Sequence, residues 1–148
     1  MPFRPLLASL AVAAWLAGGA PPATAQADRP APAERSAVQD VITSQMQAFM
    51  ADDAERAYSY AAPTIKRMFP SPEVFMGMVR SGYQPVYRPS NPTFTRSRLL
   101  GEGRILQEVM VTGPRGAAWT AVYTLEKQPD GRWLITGCYL RQAEGAAV

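Results

Sequence analysis

The stretch that decides the fold is Trp119-Thr-Ala-Val-Tyr-Thr-Leu-Glu-Lys-Gln-Pro-Asp-Gly-Arg-Trp-Leu-Ile-Thr-Gly-Cys-Tyr139-Leu140. Two apolar runs flank Gln128-Pro129-Asp130-Gly131. Proline presets the first turn angle, aspartate bonds its own backbone, and glycine accepts positive φ, so the segment predicts a β-hairpin. By strict alternation, Trp133, Ile135 and Tyr139 point to one side of the second strand. Leu134, Thr136, Cys138 and Leu140 then point to the other. In the first strand Trp119, Ala121, Tyr123 and Leu125 share a face. The aromatic faces are expected to meet helices. The opposite face, with Cys138, is expected to cover another subunit.

Working upstream, further strands are predicted over 104–112 and 94–100, separated by Gly101-Glu102-Gly103 and Gly113-Pro114-Arg115-Gly116. Residues 83–87 read as an extended edge or crossover, because Pro85 and Pro89 interrupt them. The half before that is helical. Ser71-Pro72-Glu73 is a start signal with a cap, proline at the first position and an early acid. Asp52-Asp53 ends one helix and caps a short one over 54–62. Pro63 opens a further short turn. Ser36 and Gln39 form a capping box for the first helix, whose face carries Val38, Val41, Ile42, Met46 and Phe49. Helices followed by a strand meander predict an α+β fold, with N-terminal helices on an antiparallel sheet of about four strands.

The N-terminus reads as targeting sequence. Arg4 precedes Leu6 to Ala20, an uncharged and mostly apolar run of fifteen residues. Pro21-Pro22 breaks it, and Ala23-Thr24-Ala25 and Ala25-Gln26-Ala27 follow as small-x-small cleavage sites, the pattern of a secretory signal peptide. A retained anchor would need about 20 apolar residues. The expected organisation is a signal peptide over 1–27, a flexible leader over 28–35 and one domain over 36–148. Low lysine with abundant Ala, Arg and Pro suggests a bacterial source, and hence the periplasm as destination.

Composition removes several chemistries. There is no histidine and one cysteine, Cys138. The commonest general base, the commonest metal ligand and Ser-His or Cys-His pairs are therefore absent from the sequence. An internal disulfide cannot form, and Cys138 reads as a small buried hydrophobe. No metal site or cofactor is expected. The formal net charge is +3, and it falls by one with Arg4, which is no nucleic-acid footprint.

The order of elements resembles the nuclear transport factor 2-like superfamily, whose curved sheet wraps around helices as a cone. The closing Asp130-Gly131-Arg132-Trp133-Leu134-Ile135 is similar to a last-hairpin signature found there. A closer resemblance is to an exported bacterial family within that fold class, domain of unknown function 4864. Its residues are Gln45-x-x-Ala48-Phe49-x-x-Asp52-Asp53, Ala57-Tyr58-x-Tyr60-Ala61-x-Pro63-x-Ile65 and Phe69-x-x-Pro72-x-x-Phe75-x-x-Met78-Val79. Tyr83-x-Pro85-Val86-Tyr87-Arg88-Pro89 and the 133–140 end continue it. The resemblance implies a fold and no activity.

Four groups of residues invite a functional reading. Tyr58, Phe75, Tyr87, Trp119, Tyr123 and Trp133 are candidates to line a pocket for a small apolar ligand. Glu108, alternating with Leu106 and Met110, is the candidate pocket acid, and the ketosteroid isomerases and polyketide cyclases of related cones use such an acid as a base. Asp52-Asp53 is better read as helix capping. Arg96 and Arg98, placed on one strand face with Phe94, are candidate anion contacts. The six methionines of the mature chain read as core filling rather than a copper site.

The sequence therefore points to an exported, non-enzymatic ligand-binding or accessory module, with a homodimer through the sheet. The alternatives are a small lyase or isomerase and a structural subunit of an envelope complex. A binding module predicts a pocket above roughly 300 Å³ with no carboxylate inside. An acid beside a tyrosine hydroxyl in that pocket would favour the isomerase.

Overall fold

The computed structural model describes Gly18, Gly19 and residues 27–143. The signal peptide expected over 1–27 lies almost wholly outside the described residues. Helices α1 (Pro32–Met50), α2 (Ala54–Ser59), α3 (Pro63–Met68), α4 (Pro72–Gly82) and α5 (Gln84–Tyr87) precede strands β1 (Ser90–Gly101), β2 (Arg104–Thr112), β3 (Ala118–Lys127) and β4 (Trp133–Gln142). The strands form one antiparallel sheet in the order β1-β2-β3-β4, open at both ends. Helices pack on one face of it, the α+β architecture expected. No helix among the described residues is long and apolar enough to cross a membrane.

The first helix begins before the capping box at Ser36. Pro32 occupies its first turn and no side chain caps it. Proline serves there because its fixed φ suits the helix and its missing N–H needs no partner. The leader is also tied down, since the Leu99 N–H donates to the Asp28 carbonyl at 2.8 Å. Val38, Ile42, Met46 and Phe49 are buried as the periodicity required, but so is Gln45.

The end of α1 is set by Asp52. Asp53 N–H donates to the Ala48 carbonyl at 2.9 Å and Asp52 N–H to the Phe49 carbonyl at 3.0 Å. That pair of bonds is a Schellman ending, which needs a left-handed residue, and Asp52 supplies it at φ 52° where glycine is usual. Asp53 then caps α2, its carboxylate accepting from the Arg56 N–H at 3.1 Å. Ser71 caps α4 in the same way, accepting from Val74 N–H at 3.2 Å. Residues 83–87 are not extended. Pro85 falls in the first turn of α5, where the proline costs no hydrogen bond, and Val86 N–H donates to the Tyr83 carbonyl at 3.0 Å.

The last hairpin turns where expected. Gly131 N–H donates to the Gln128 carbonyl at 2.9 Å with Gly131 at φ 88°, and Asp130 accepts from the Arg132 N–H at 3.0 Å. Its faces are a different matter. Thr124 pairs with Gly137 while Leu125 pairs with Ile135, so Thr136 is an extra residue in β4. This bulge inverts the alternation beyond it. Trp133 and Ile135 face the helices, and so do Cys138 and Leu140, which stand opposite Tyr123 and Ala121. Tyr139 is turned outward and is 56% exposed. The expected placement of Tyr139 inside and Cys138 on a subunit-contact face is thus corrected. The Thr136 hydroxyl fastens the bulge by bonding the Thr124 carbonyl at 3.1 Å and its hydroxyl at 3.0 Å.

A second irregularity lies in β1, where Phe94 pairs with Val109 but Ser97 with Gln107. Phe94 packs on the core, whereas Arg96 and Arg98 are exposed, so the arginines do not share its face. The core joins α1, α4 and the inner sheet face through Ile42, Phe49, Phe75, Ile105, Val109, Tyr123 and Leu125. Each large apolar side chain so buried contributes about 1.5–3 kcal/mol relative to exposure. The core continues to β4's outer edge. There the Ile135 N–H donates to the Tyr60 carbonyl at 2.9 Å, and the Ile135 carbonyl accepts from the Ala62 N–H at 2.8 Å.

Candidate functional site

Between α3, α4 and the bulged part of β4 the core does not close. A cavity of about 240 Å³ remains there. Its helical wall comes from Phe49 of α1, Ile65 of α3 and Phe75 and Val79 of α4; its sheet wall is Tyr123 and Ile135. Phe75 anchors the wall, with ring centroids 5.6 Å from Tyr58, 6.1 Å from Phe49 and 6.3 Å from Phe69. Met68, 68% exposed, lies with Met78 and Tyr83 along the boundary. Thr136, Gly137 and Cys138 complete it, so the bulge itself forms one side.

Few polar groups reach this space. Gln45 is buried and donates its Nε2 to the Ala57 carbonyl at 3.1 Å. Tyr123 is 1% exposed, and among the described residues its hydroxyl has no partner in good hydrogen-bonding geometry; it lies beside the Cys138 thiol, a weak acceptor. Burial, and to a smaller degree the neighbouring Cys138, holds that phenol well above its ordinary range. Burial likewise pushes the Cys138 thiol up to about 12, against a smaller opposing effect of the Tyr123 hydroxyl. At neutral pH both groups are therefore protonated, and Cys138 is not a nucleophile. Among the described residues no carboxylate, lysine or arginine lines the cavity. The volume falls short of the roughly 300 Å³ expected of a binding module, and suits a compact ligand.

A second polar cluster sits outside, against the end of α1. The Asp52 carboxylate accepts from the Tyr87 hydroxyl and from Arg88 Nη2 at 2.9 Å, with Arg80 Nη2 at 3.7 Å. Arg88 also donates to the Phe49 carbonyl at 2.6 Å and lies over the Tyr87 ring at 3.9 Å. The Tyr87 hydrogen bond above all, opposed by desolvation and aided by Arg88 and Arg80, holds the Asp52 carboxyl below its usual range. The arrangement fastens α5 to the end of α1, and the carboxylate is fully engaged.

Residues 31–148 match the model of the family described as Domain of unknown function (DUF4864). The chain belongs to this family. No curated protein and no solved structure matches it. The family description assigns no activity, so the site in this DUF4864 chain rests on its geometry.

Of the six aromatic pocket candidates, the fold brings only Phe75 and Tyr123 to the cavity. Tyr58 supports it from behind, its hydroxyl donating to the Phe69 carbonyl at 2.6 Å. Tyr87 belongs to the Asp52 cluster. Trp133 is buried near Tyr60 beside a different, shallower depression. Trp119 borders a separate cleft of about 600 Å³ with Pro85, Arg115 and Gln142, at another part of the sheet. Most of the cavity's other members, among them Gln45, Phe49, Ile65, Phe69, Met78, Val79 and Tyr83, belong to the family-like sequence pattern, but no local pattern shows that they meet around one space.

The candidate acid is misplaced for pocket chemistry. Glu108 does alternate with Leu106 and Met110, but that is the sheet's outer face; the inner series is Ile105, Gln107, Val109 and Val111. Its carboxylate pairs with Arg141 at 2.9 Å, and only 15% of the side chain is exposed. The pair bridges over β3, whose Val122 lies between Glu108 and Tyr139 in register. The buried side chain at this level is Gln107, which donates to the Arg96 and Glu108 carbonyls at 3.1 and 3.0 Å. Arg96 and Arg98 are exposed, form no ion pair among the described residues and do not line the 240 Å³ cavity. No cluster of His, Cys, Asp or Glu suited to a metal occurs among the described residues.

Proposed function

We propose that this chain is an exported, non-enzymatic module that holds a small apolar molecule in the cavity between α3, α4 and the β4 bulge. One observation carries the reading: a cavity of about 240 Å³ is lined mostly by apolar side chains and by a buried hydroxyl with no well-placed partner among the described residues. Apolar walls with a few placed polar groups are the usual composition of a ligand site. An isomerase of the acid-and-tyrosine kind would need a carboxylate inside. Glu108 lies on the opposite face of the sheet, and Asp52 is held at the surface by Tyr87 and Arg88.

Export rests on the apolar run from Leu6 to Ala20 and the small-residue sites that follow it. The intact mass of the protein recovered from producing cells tests it: a start near Gln26 or Asp28 supports export, and an uncleaved Met1 overturns it. Placement in the nuclear transport factor 2-like superfamily is supported by helices followed by a four-stranded meander.

Native mass spectrometry of the same material tests the binding role. A retained small molecule, lost in an Ile65→Trp variant that fills the cavity, is the expected result. A bare protein that takes up no apolar compound would overturn it.

A further inference from the structure

We propose that the cavity selects an uncharged ligand of about ten non-hydrogen atoms carrying one hydrogen-bond acceptor, a ketone, aldehyde or ether oxygen, which takes the Tyr123 O–H. This deepens the binding reading above and rests on it.

The chain satisfies its other buried side chains well. Gln45 reaches Ala57, Gln107 reaches Arg96 and Glu108, and Thr136 reaches Thr124. Two buried side-chain atoms stand out as unpartnered among the described residues, Ser97 Oγ and Tyr123 Oη. Ser97 lies at the β1 irregularity, away from this cavity. Tyr123 lines this one. A buried donor without an acceptor is costly, so such a group marks a place where an acceptor belongs.

The surroundings say which acceptor. Among the described residues neither the Tyr83 oxygen, whose proton goes to the Cys138 carbonyl at 3.2 Å, nor the Cys138 sulfur, a weak acceptor, stands in hydrogen-bonding geometry to the Tyr123 hydroxyl. Among the described residues no cation lines the space to balance an anionic ligand and no acid to balance a cationic one. A carboxylate or amine would have to shed its hydration without compensation. The volume sets the size: an apolar cavity of about 150 Å³ holds benzene, and this one is about 240 Å³.

Three probes of nearly equal shape separate these demands: acetophenone, its hydrocarbon isostere cumene, and benzoate. Calorimetric titration of the processed protein and of Tyr123→Phe measures each. We expect acetophenone to bind wild type about ten-fold tighter than cumene, with benzoate unbound. In Tyr123→Phe, which keeps the ring and removes the hydroxyl, cumene binding stays within about two-fold and the acetophenone preference disappears. Equal affinity for acetophenone and cumene in wild type would overturn the acceptor inference while leaving an apolar pocket standing. A preference that survives Tyr123→Phe would overturn the role of Tyr123. Failure of acetophenone and cumene alike to bind would overturn the binding reading itself, and this inference with it.

Discussion

Tyr123 and Cys138 stand opposite each other on β3 and β4, and they share the inner face only because Thr136 is extruded from the register between them. Without the bulge Cys138 would face outward and Tyr139 inward. The cavity, the unpartnered hydroxyl and the protonated thiol all follow from that one extra residue.

The bulge should be sensitive at Gly137. A Cβ there would lie 3.1 Å from Thr124 Oγ1, the atom that also holds the Thr136 hydroxyl. Gly137→Ala is expected to destabilise the fold by about 1–2 kcal/mol in urea unfolding. Pairing it with Thr124→Ala removes the obstructing atom and should recover part of the loss. Gly103→Ala is a poor control, since its φ of 69° adds backbone strain; Gly77, inside α4 with open space around its Cβ position, should instead gain up to about 1 kcal/mol as alanine, the opposite sign to Gly137→Ala.

Cys138 should behave as a buried thiol. A disulfide-exchange reagent at pH 8 is expected to modify it slowly in the folded protein and fully in denaturant. Rapid stoichiometric modification of the native chain would place the thiol outside, as uninterrupted alternation would have had it.

Alkaline stability follows with a definite sign. The thiol is raised from 9 to about 12 on folding, so the folded chain keeps a proton that the unfolded chain loses. The associated stabilisation is complete below about pH 9 and is lost as pH rises toward 12; Tyr123, also raised, adds to the loss. The stability curve should therefore fall steeply above pH 9, and Cys138→Ala should flatten it.

At Asp52 two effects oppose each other. Asp52→Ala removes the acceptor for Tyr87 and Arg88 and leaves a β-carbon in the left-handed region, so it should lower the melting temperature. Asp52→Gly loses the same contacts but suits the left-handed turn, and should be less damaging. Thermal denaturation of both variants checks the order. The carboxyl is held below its usual range, so its contribution is present at neutral pH and disappears as pH falls through that lowered value.

The parts of this molecule set by neighbouring residues are legible in the sequence. Ser71-Pro72-Glu73 and Asp53 cap helices as their types require, and Gln128-Pro129-Asp130-Gly131 turns the hairpin. The misassigned faces share one physical cause. Alternation assigns faces correctly only while register is unbroken, and Thr136 breaks it in β4 as the Phe94–Ser97 irregularity does in β1. Gly137 is the signal for the first, since glycine inside a strand often marks a bulge. Pro85 misleads because proline suits a helix's first turn as well as an edge. For Glu108 the parity is right and the choice of face wrong; the fully buried residues Ile105 and Val109 flanking the series identify the inner one. The joining of Asp52 to Tyr87 and Arg88, and of Ile65 to Tyr123 around one cavity, depends on chain crossing that no local pattern encodes.

The central claim, a small apolar molecule held between α4 and the β4 bulge, is tested most directly by following backbone amides in two-dimensional NMR while cumene is added. Saturable shifts concentrated at Phe75, Val79, Tyr123 and Thr136 to Cys138 are predicted. No saturable shift, or shifts gathered instead around Met110 and Tyr139 on the outer face, would contradict the account.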